Sequence, residues 1–175
     1  GYHLAQVMLE HNEPMQKIMD VCTQVLEVEP THGATLEILA QCLEDSDRPE
    51  EAAETWHYCF GFLLHAWELA RTRYGAMPTA ENGHILAQSH GRAVRTAQTL
   101  ERLLDGMDRA PQRCLIYREH LRLEPNAVHV LARYLKDLES MRYFHEMAQC
   151  CEDFLGINGT NLSVNDEISI RLTLH

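Results

Sequence analysis

Apolar and polar positions in the first sixty residues follow the period of an α-helix. Apolar side chains stand at i, i+3, i+4 and i+7, which places them on one helix face. The apolar pattern returns 34 positions later, and an apolar residue meets an apolar residue at seven of eight places. The eight pairs are Tyr2 with Leu36, Ala5 with Leu39, Gln6 with Ala40, Leu9 with Leu43, Ile18 with Ala52, Cys22 with Trp56, Val25 with Cys59 and Pro30 with Leu64. The spacing predicts a repeating unit of two helices.

Polar breaks separate the two helices of each unit. They read "HNEP" and "DSDRPEE", and each contains a Pro near the first turn of the following helix, where a missing N–H costs nothing. Asp47 or Ser46 can cap that helix, and Glu50 and Glu51 fall in its positive first turn. One helix pair cannot bury its apolar stripe alone, so we expect neighbouring pairs to stack.

These residues resemble the tetratricopeptide repeat (TPR) family. That family carries a bulky residue, Leu, a small residue and an aromatic or Leu in its first helix, then Ala, an aromatic, a small residue and an exit Pro. Residues 33–64 match this pattern well, and residues 1–32 match it with Pro30 at the exit. The resemblance implies an all-α fold, an α-solenoid of antiparallel helix hairpins with about four repeats. It also implies that Trp56, in the aromatic position, is buried between hairpins.

Two further repeats are predicted in the second half of the chain. The segment "YREHLRLEPNA" parallels "CTQVLEVEPTH", and it indicates a repeat over residues 94–125 followed by one over 128–159. Glu101 and Arg113 depart from the pattern, since a small residue is usual at the first position and Ala at the second. The repeat over 94–125 is therefore expected to pack more loosely than the others.

The central part of the chain contains an insertion. The registers at 33 and 94 differ by 61 residues, so about 27 residues are added to the 34-residue period. The sequence predicts two long helices, Glu50 to Tyr74 and Asn82 to Gly106, which form an extended hairpin over residues 50–106. This hairpin is expected to project from the stack by about 15–20 Å. Trp67 on its wall either packs inside the hairpin or meets another subunit.

The last segment, residues 160–175, has a mixed pattern. Asn165 and Glu167 suit a helix start, whereas the apolar residues from Ile168 to Leu174 alternate as in a strand. The interpretation we favour is a partial capping helix of a continuing array. Because the chain begins with Gly, we expect this single TPR-like domain of residues 1–175 to be part of a longer protein.

Composition and charge narrow the function classes. The formal net charge is −11, which disfavours nucleic acid as a partner and weakly favours a basic one. No apolar run approaches 18 residues, so no membrane span is predicted. Six cysteines without a C-x-x-C pair indicate a reducing, intracellular compartment, most simply the cytoplasm, with the nucleus or an organelle left open. Two N-glycosylation triplets, at Asn158 and Asn161, point the other way.

Candidate chemistry is sparse. The stretch "HEMAQC" from His145 to Cys150 is close to a zinc protease motif, but Gln149 replaces the second His. The sequence contains neither a phosphate-binding Gly loop followed by Lys nor a G-x-S-x-G motif. We therefore predict no enzyme, no catalytic residues, no metal site and no cofactor.

The TPR resemblance implies that first helices line a concave binding face. Glu10, Glu37 and Glu44 then form an acidic strip of exposed carboxylates that suits a basic segment of another protein. The full set of candidate partner-binding residues is Glu10, Glu37, Gln41, Glu44, Arg102, Lys136 and Trp67. Family members that clamp a chaperone's C-terminal carboxylate use Lys, Asn and Arg on this face. This chain has other residues at the matching positions, which argues against the same kind of binding: they are His3, Val7, Glu37 and Gln41.

These observations favour a protein–protein interaction scaffold or adaptor within a multiprotein complex. Two other functions stay open at this point. One is a subunit of a helical-repeat RNA-processing factor, and the other is a regulatory helical domain attached to an enzyme. The oligomeric state and the identity of the partner do not follow from the sequence.

Overall fold

The computed structural model describes residues 2–11, 13–158 and 170. In that part of the chain every regular element is a helix, which confirms the predicted all-α class. The helices are α1 (Tyr2–Glu10), α2 (Met15–Val28), α3 (Gly33–Asp45), α4 (Pro49–Ala76), α5 (Ala80–Gly106), α6 (Ala110–Leu123), α7 (Val128–Ser140) and α8 (Phe144–Asn158). The chain divides into two compact units, Gly1–Leu103 and Leu104–His175.

Three helix–helix turns share one backbone geometry. Asp47, Asp108 and Arg142 each have a positive φ, of 56°, 54° and 61°. The residue after each donates its backbone N–H to the carbonyl five positions earlier: Arg48 to Leu43, Arg109 to Leu104 and Tyr143 to Leu138. Such a turn satisfies helix-end carbonyls and reverses the chain. The positive-φ residues lie 61 and then 34 positions apart, which is the predicted spacing with its central insertion.

The turn between α1 and α2 is one residue longer: four residues separate these helices, whereas three separate α3 from α4. Glu13 donates its backbone N–H to the carbonyl of Met8, as Arg48 does to Leu43 at a spacing of 35, but the buried Cys22 of α2 matches Trp56 at a spacing of 34. As a result α1 is displaced by one residue against α3. Its buried residues Ala5 and Met8 match Ala40 and Leu43 at a spacing of 35. The predicted pairing of Gln6 with Ala40 is therefore wrong, and Gln6 is exposed.

The core of the first unit lies where α3 packs against α2 and α4. Leu36, Ala40 and Leu43 of α3 are buried there, and Trp56 of α4 is 8% exposed. The burial of Trp56 confirms the prediction made from the repeat pattern. The small Ala52 lies one turn before Trp56 on the same face of α4 and leaves room for a closely packed neighbour.

The two long helices of the first unit run antiparallel. The ring of Tyr74 lies against Gly83, where an added Cβ would come within 3.3 Å of it, and the rings of Trp67 and His90 have centroids 6.3 Å apart. Both pairs fit one antiparallel register. Residues 71–81 at the far end are all exposed. The predicted boundaries of both helices lie within two residues of the observed ones.

The second unit contains a buried ion pair at a position where the repeat pattern has Ala. The guanidinium of Arg113 donates from Nε and Nη2 to the two carboxylate oxygens of Asp137, at 2.6 and 2.7 Å. Its Nη1 donates to Asp105 at 2.7 Å. Both Arg113 and Asp137 are buried, and the hydrogen bonds to Asp137 raise the pKa of Arg113 above its ordinary value. A charged side chain, Arg113, thus occupies a position at which the repeat pattern has a small apolar residue, and its ion pair with Asp137 compensates its charge.

Around this pair the second unit has its own apolar core. Its buried residues are Cys114, Leu131, Leu135, Leu138, Met147, Cys151, Phe154 and Ile170. Ile170 belongs to the predicted capping segment 160–175 and is helical in the structure. The rest of that segment lies outside the described residues.

Candidate protein-binding surface

Glu37 of the predicted acidic strip is held by an arginine from α5. Its Oε1 accepts hydrogen bonds from Nε and Nη2 of Arg92, at 3.2 and 2.9 Å. Each side chain is about one third exposed. The carboxylate is partly neutralised within the chain, so a partner would have to compete with Arg92 for it.

Glu44 is more buried than Glu37 and has two hydrogen-bond partners within the chain. Its Oε1 accepts a hydrogen bond of 2.6 Å from the indole Nε1 of the buried Trp56, and its Oε2 accepts one of 2.5 Å from Arg102. Its side chain is only 10% exposed. The expectation that Glu44 is an exposed strip residue is wrong, because tertiary packing has given its carboxylate two partners inside the chain.

The shifted register of α1 brings a different acidic position onto this face. At the observed spacing Glu10 corresponds to Asp45, and Gln6 corresponds to Gln41. All four side chains are exposed, and Gln41 Nε2 donates to Asp45 Oδ1 at 3.0 Å. Since α1 packs on α3, these residues form one polar surface, which we call the α1–α3 face. Asp45 was not predicted, because a spacing of 34 pairs Glu10 with Glu44.

The other candidates belong to other helices. Lys136 is exposed on α7 in the second unit, whereas Arg102 is paired with Glu44. Trp67 is 6% exposed and packs inside the α4–α5 hairpin, with the guanidinium of Arg71 4.8 Å from its ring centroid. Its ring contributes to the packing of the two long helices.

Negative charge is concentrated in the first sixty residues of the chain. Residues 1–60 contain twelve Asp and Glu against two Lys and Arg, a balance of −10 out of the total of −11. Exposed carboxylates occur on each of the helices α1 to α4; they include Glu10, Asp20, Asp45 and Glu54. A concentration of one sign of charge attracts partners of the opposite sign.

The thiols are poorly suited to nucleophilic chemistry. Burial raises the pKa of Cys22 and Cys114 to about 11, and of Cys59 and Cys150 to about 12. Each of these thiols stays protonated near neutral pH, and the thiolate is the reactive form. Across the described residues, His, Cys, Asp and Glu side chains nowhere come together in a group of three that could hold a metal ion.

None of the helices in the described part of the chain combines the length and the apolar character that crossing a bilayer requires.

No protein-family model matches the chain, and no curated protein matches it. Among solved structures, the chain is similar to a putative kinesin light chain of Podosopora anserina with nearly identical TPR-like repeats. That similarity has a TM-score of 0.45 and 11% identity over 99% of this chain and 81% of the other. MamA gives a TM-score of 0.34, 13% identity and coverages of 91% and 93%. PilF of Pseudomonas aeruginosa gives a TM-score of 0.35, 15% identity and coverages of 99% and 85%.

Proposed function

We propose that the chain is a protein-binding module that acts as a scaffold or adaptor in a multiprotein complex and catalyses no reaction of its own. The observation that carries this proposal is the acidic surface of the first hairpins, with the exposed Glu10 and Asp45 on the α1–α3 face. The partner we propose is a protein segment rich in Lys and Arg. Nucleic acid is disfavoured because its phosphates carry the same charge as this surface.

Charge at this face acts mainly on the encounter with the partner. Exposed charges speed association and set specificity, and they add little to the final affinity. Glu37 and Glu44 take a lesser part in the proposed contact because Arg92 and Arg102 already neutralise them. The face is therefore defined by Gln6, Glu10, Gln41 and Asp45 rather than by the strip predicted from sequence.

The test is a pair of matched charge-reversal variants. Partners are first captured by affinity purification with the wild-type chain, and the association rate of each is then measured at several salt concentrations. The variant Glu10→Lys/Asp45→Lys should associate more slowly at low salt and show a flatter salt dependence. The control Asp20→Lys/Glu54→Lys makes the same change in charge at exposed positions 34 residues apart on the second helices α2 and α4.

The control separates a specific face from a general charge effect. If the α2–α4 variant slows association as much as the α1–α3 variant, net charge rather than this face governs binding. If neither variant changes the association rate at low salt, the α1–α3 face does not bind the partner. RNA that binds the wild-type chain with a strong salt dependence would instead favour an RNA-processing function.

We further propose a reducing intracellular compartment for this module. All six cysteines are free thiols, and five of them are buried among apolar neighbours, where cysteine packs as a small hydrophobic residue. The protein is expected to keep its fold unchanged when a thiol reductant is added. Mass spectrometry of the protein isolated from cells should find free thiols.

A further inference from the structure

The first hairpin has a second apolar surface that its core does not use. On α2, Ile18, Met19 and Cys22 are buried in the core, whereas Val21, Val25 and Val28 stand at i, i+4 and i+7 on a different side of the helix. Together with Tyr2 and Leu4 of α1 they line a groove of about 530 Å³. We call it the α1–α2 groove.

Two apolar side chains of this groove are largely exposed. Val28 is 87% exposed and Leu4 is 53% exposed. Val7, one turn beyond Leu4 on α1, is also exposed. A cluster of exposed apolar side chains of this kind marks an interaction surface. A helix whose two sides are both apolar is suited to packing on both sides.

The lining of the groove suits a helix. An apolar stripe with helical spacing on α2 lines one side, and Tyr2 and Leu4 of α1 line the other. Two neighbouring antiparallel helices accept the ridge of a third helix between them, as in helix-in-groove recognition. An extended strand would have no partners for its backbone N–H and C=O groups there, since α1 and α2 use theirs within the helices.

The negative charge around the groove favours a basic partner. Glu29 lines it and Glu27 lies next to it in the last turn of α2, and both are exposed. The carbonyl end of α2 adds negative potential at the same place. We propose that the α1–α2 groove binds a basic amphipathic helix of a partner protein, with its apolar face on Leu4, Val25 and Val28 and with Lys or Arg beside Glu29. This second binding surface does not depend on the α1–α3 face.

The probe for this proposal is a labelled model helix about five turns long. It carries Leu at helical spacing and Lys on the flanks of that stripe. One control peptide replaces every Lys with Glu, and another has the same composition with the Leu residues scattered around the helix. Fluorescence anisotropy is expected to show binding of the basic amphipathic helix and at least about tenfold weaker binding of both controls.

Substitutions then assign the binding to the groove. Leu4→Gln/Val28→Gln removes apolar contact without changing charge, and it should weaken binding of the basic helix by about tenfold or more. The matched control is Leu115→Gln, which removes an apolar side chain that is 49% exposed in the second unit. It should leave the affinity unchanged. Circular dichroism checks folding, and Val28→Gln alone serves if the double variant unfolds.

Several results would overturn the proposal. Equal binding of the basic helix to wild type and Leu4→Gln/Val28→Gln would do so, as would equal binding of the Glu-containing helix, or no binding at all. Sedimentation equilibrium tests whether a second copy of this chain occupies the groove. If wild type dimerises and Leu4→Gln/Val28→Gln does not, the groove binds a second copy of this chain rather than a partner's helix.

Discussion

The assignment of Glu44 to the fold rather than to the binding surface predicts a large cost for reversing its charge. Glu44→Lys removes the acceptor for the indole N–H of Trp56 and places an ammonium beside Arg102. Losing a hydrogen bond to a charged group costs about 1.5–3 kcal/mol, and the pair with the largely exposed Arg102 adds about 0–1 kcal/mol. We expect a total loss of about 1.5–4 kcal/mol in the free energy of unfolding.

Urea denaturation followed by tryptophan fluorescence measures this loss in the relevant unit. The chain contains two tryptophans, Trp56 and Trp67, and both lie in the unit Gly1–Leu103. The signal therefore reports on the unit that contains Glu44 even if the two units unfold separately. Glu44→Gln keeps an acceptor for the indole and should lose about 1 kcal/mol or less.

Two neighbouring acidic residues provide the controls. Glu10→Lys and Asp45→Lys change exposed side chains and should each stay within about 0.5 kcal/mol of wild type. A Glu44→Lys variant as stable as these two would refute the reasoning. It would mean that the carboxylate of Glu44 is free, and the acidic strip of Glu10, Glu37 and Glu44 would again be a candidate binding surface.

Three further variants test the packing and the buried groups. Trp56→Ala should cost about 3–5 kcal/mol in urea denaturation followed by circular dichroism, because the ring is buried where α3 meets α4; a loss below about 1 kcal/mol would place the ring outside the core. Arg113→Ala leaves Asp137 buried without its bidentate partner and should cost about 3–5 kcal/mol in the second unit, whereas the double variant with Asp137→Ala should recover part of that loss. Burial raises the pKa of the Cys59 thiol from 9.0 to about 12. Between these two values the folded chain keeps a proton that the unfolded chain loses. The stabilisation that comes from the buried, protonated thiol is therefore complete below about pH 9 and is lost between about pH 9 and 12. Cys59→Ala should make the fall of the urea midpoint over that pH range shallower, and an unchanged slope would contradict the assignment.

The local pattern of the sequence was enough to determine most of the helices and their spacing. Apolar periodicity placed the two long helices within two residues of their observed ends, and it identified Trp56 as a core residue. The spacing of 61 and then 34 residues between equivalent turns was also visible as a shift in the repeat register. These features follow from local rules, because a helix face and a turn are each defined within a few consecutive residues.

The register of α1 was predicted wrongly by one residue. The turn after α1 has one residue more than the turn after α3, so α1 matches α3 at a spacing of 35 although α2 matches α4 at 34. Because of this displacement, the small buried residue of α1 is Ala5 rather than the predicted Gln6. The residue of α3 that corresponds to Glu10 is Asp45 rather than Glu44.

Only the tertiary structure decided which charged groups are available to a partner. The positions of Glu37 and Glu44 along α3 do not indicate that either residue is paired. Their partners Arg92 and Arg102 lie 55 and 58 positions away in the sequence. Arg113 likewise contradicts the local pattern until Asp137, 24 positions on, fills its hydrogen bonds. Such pairs form because separate helices pack at a particular angle and depth. The interaction of two charges depends on their distance and burial in space, which no local period of the sequence encodes.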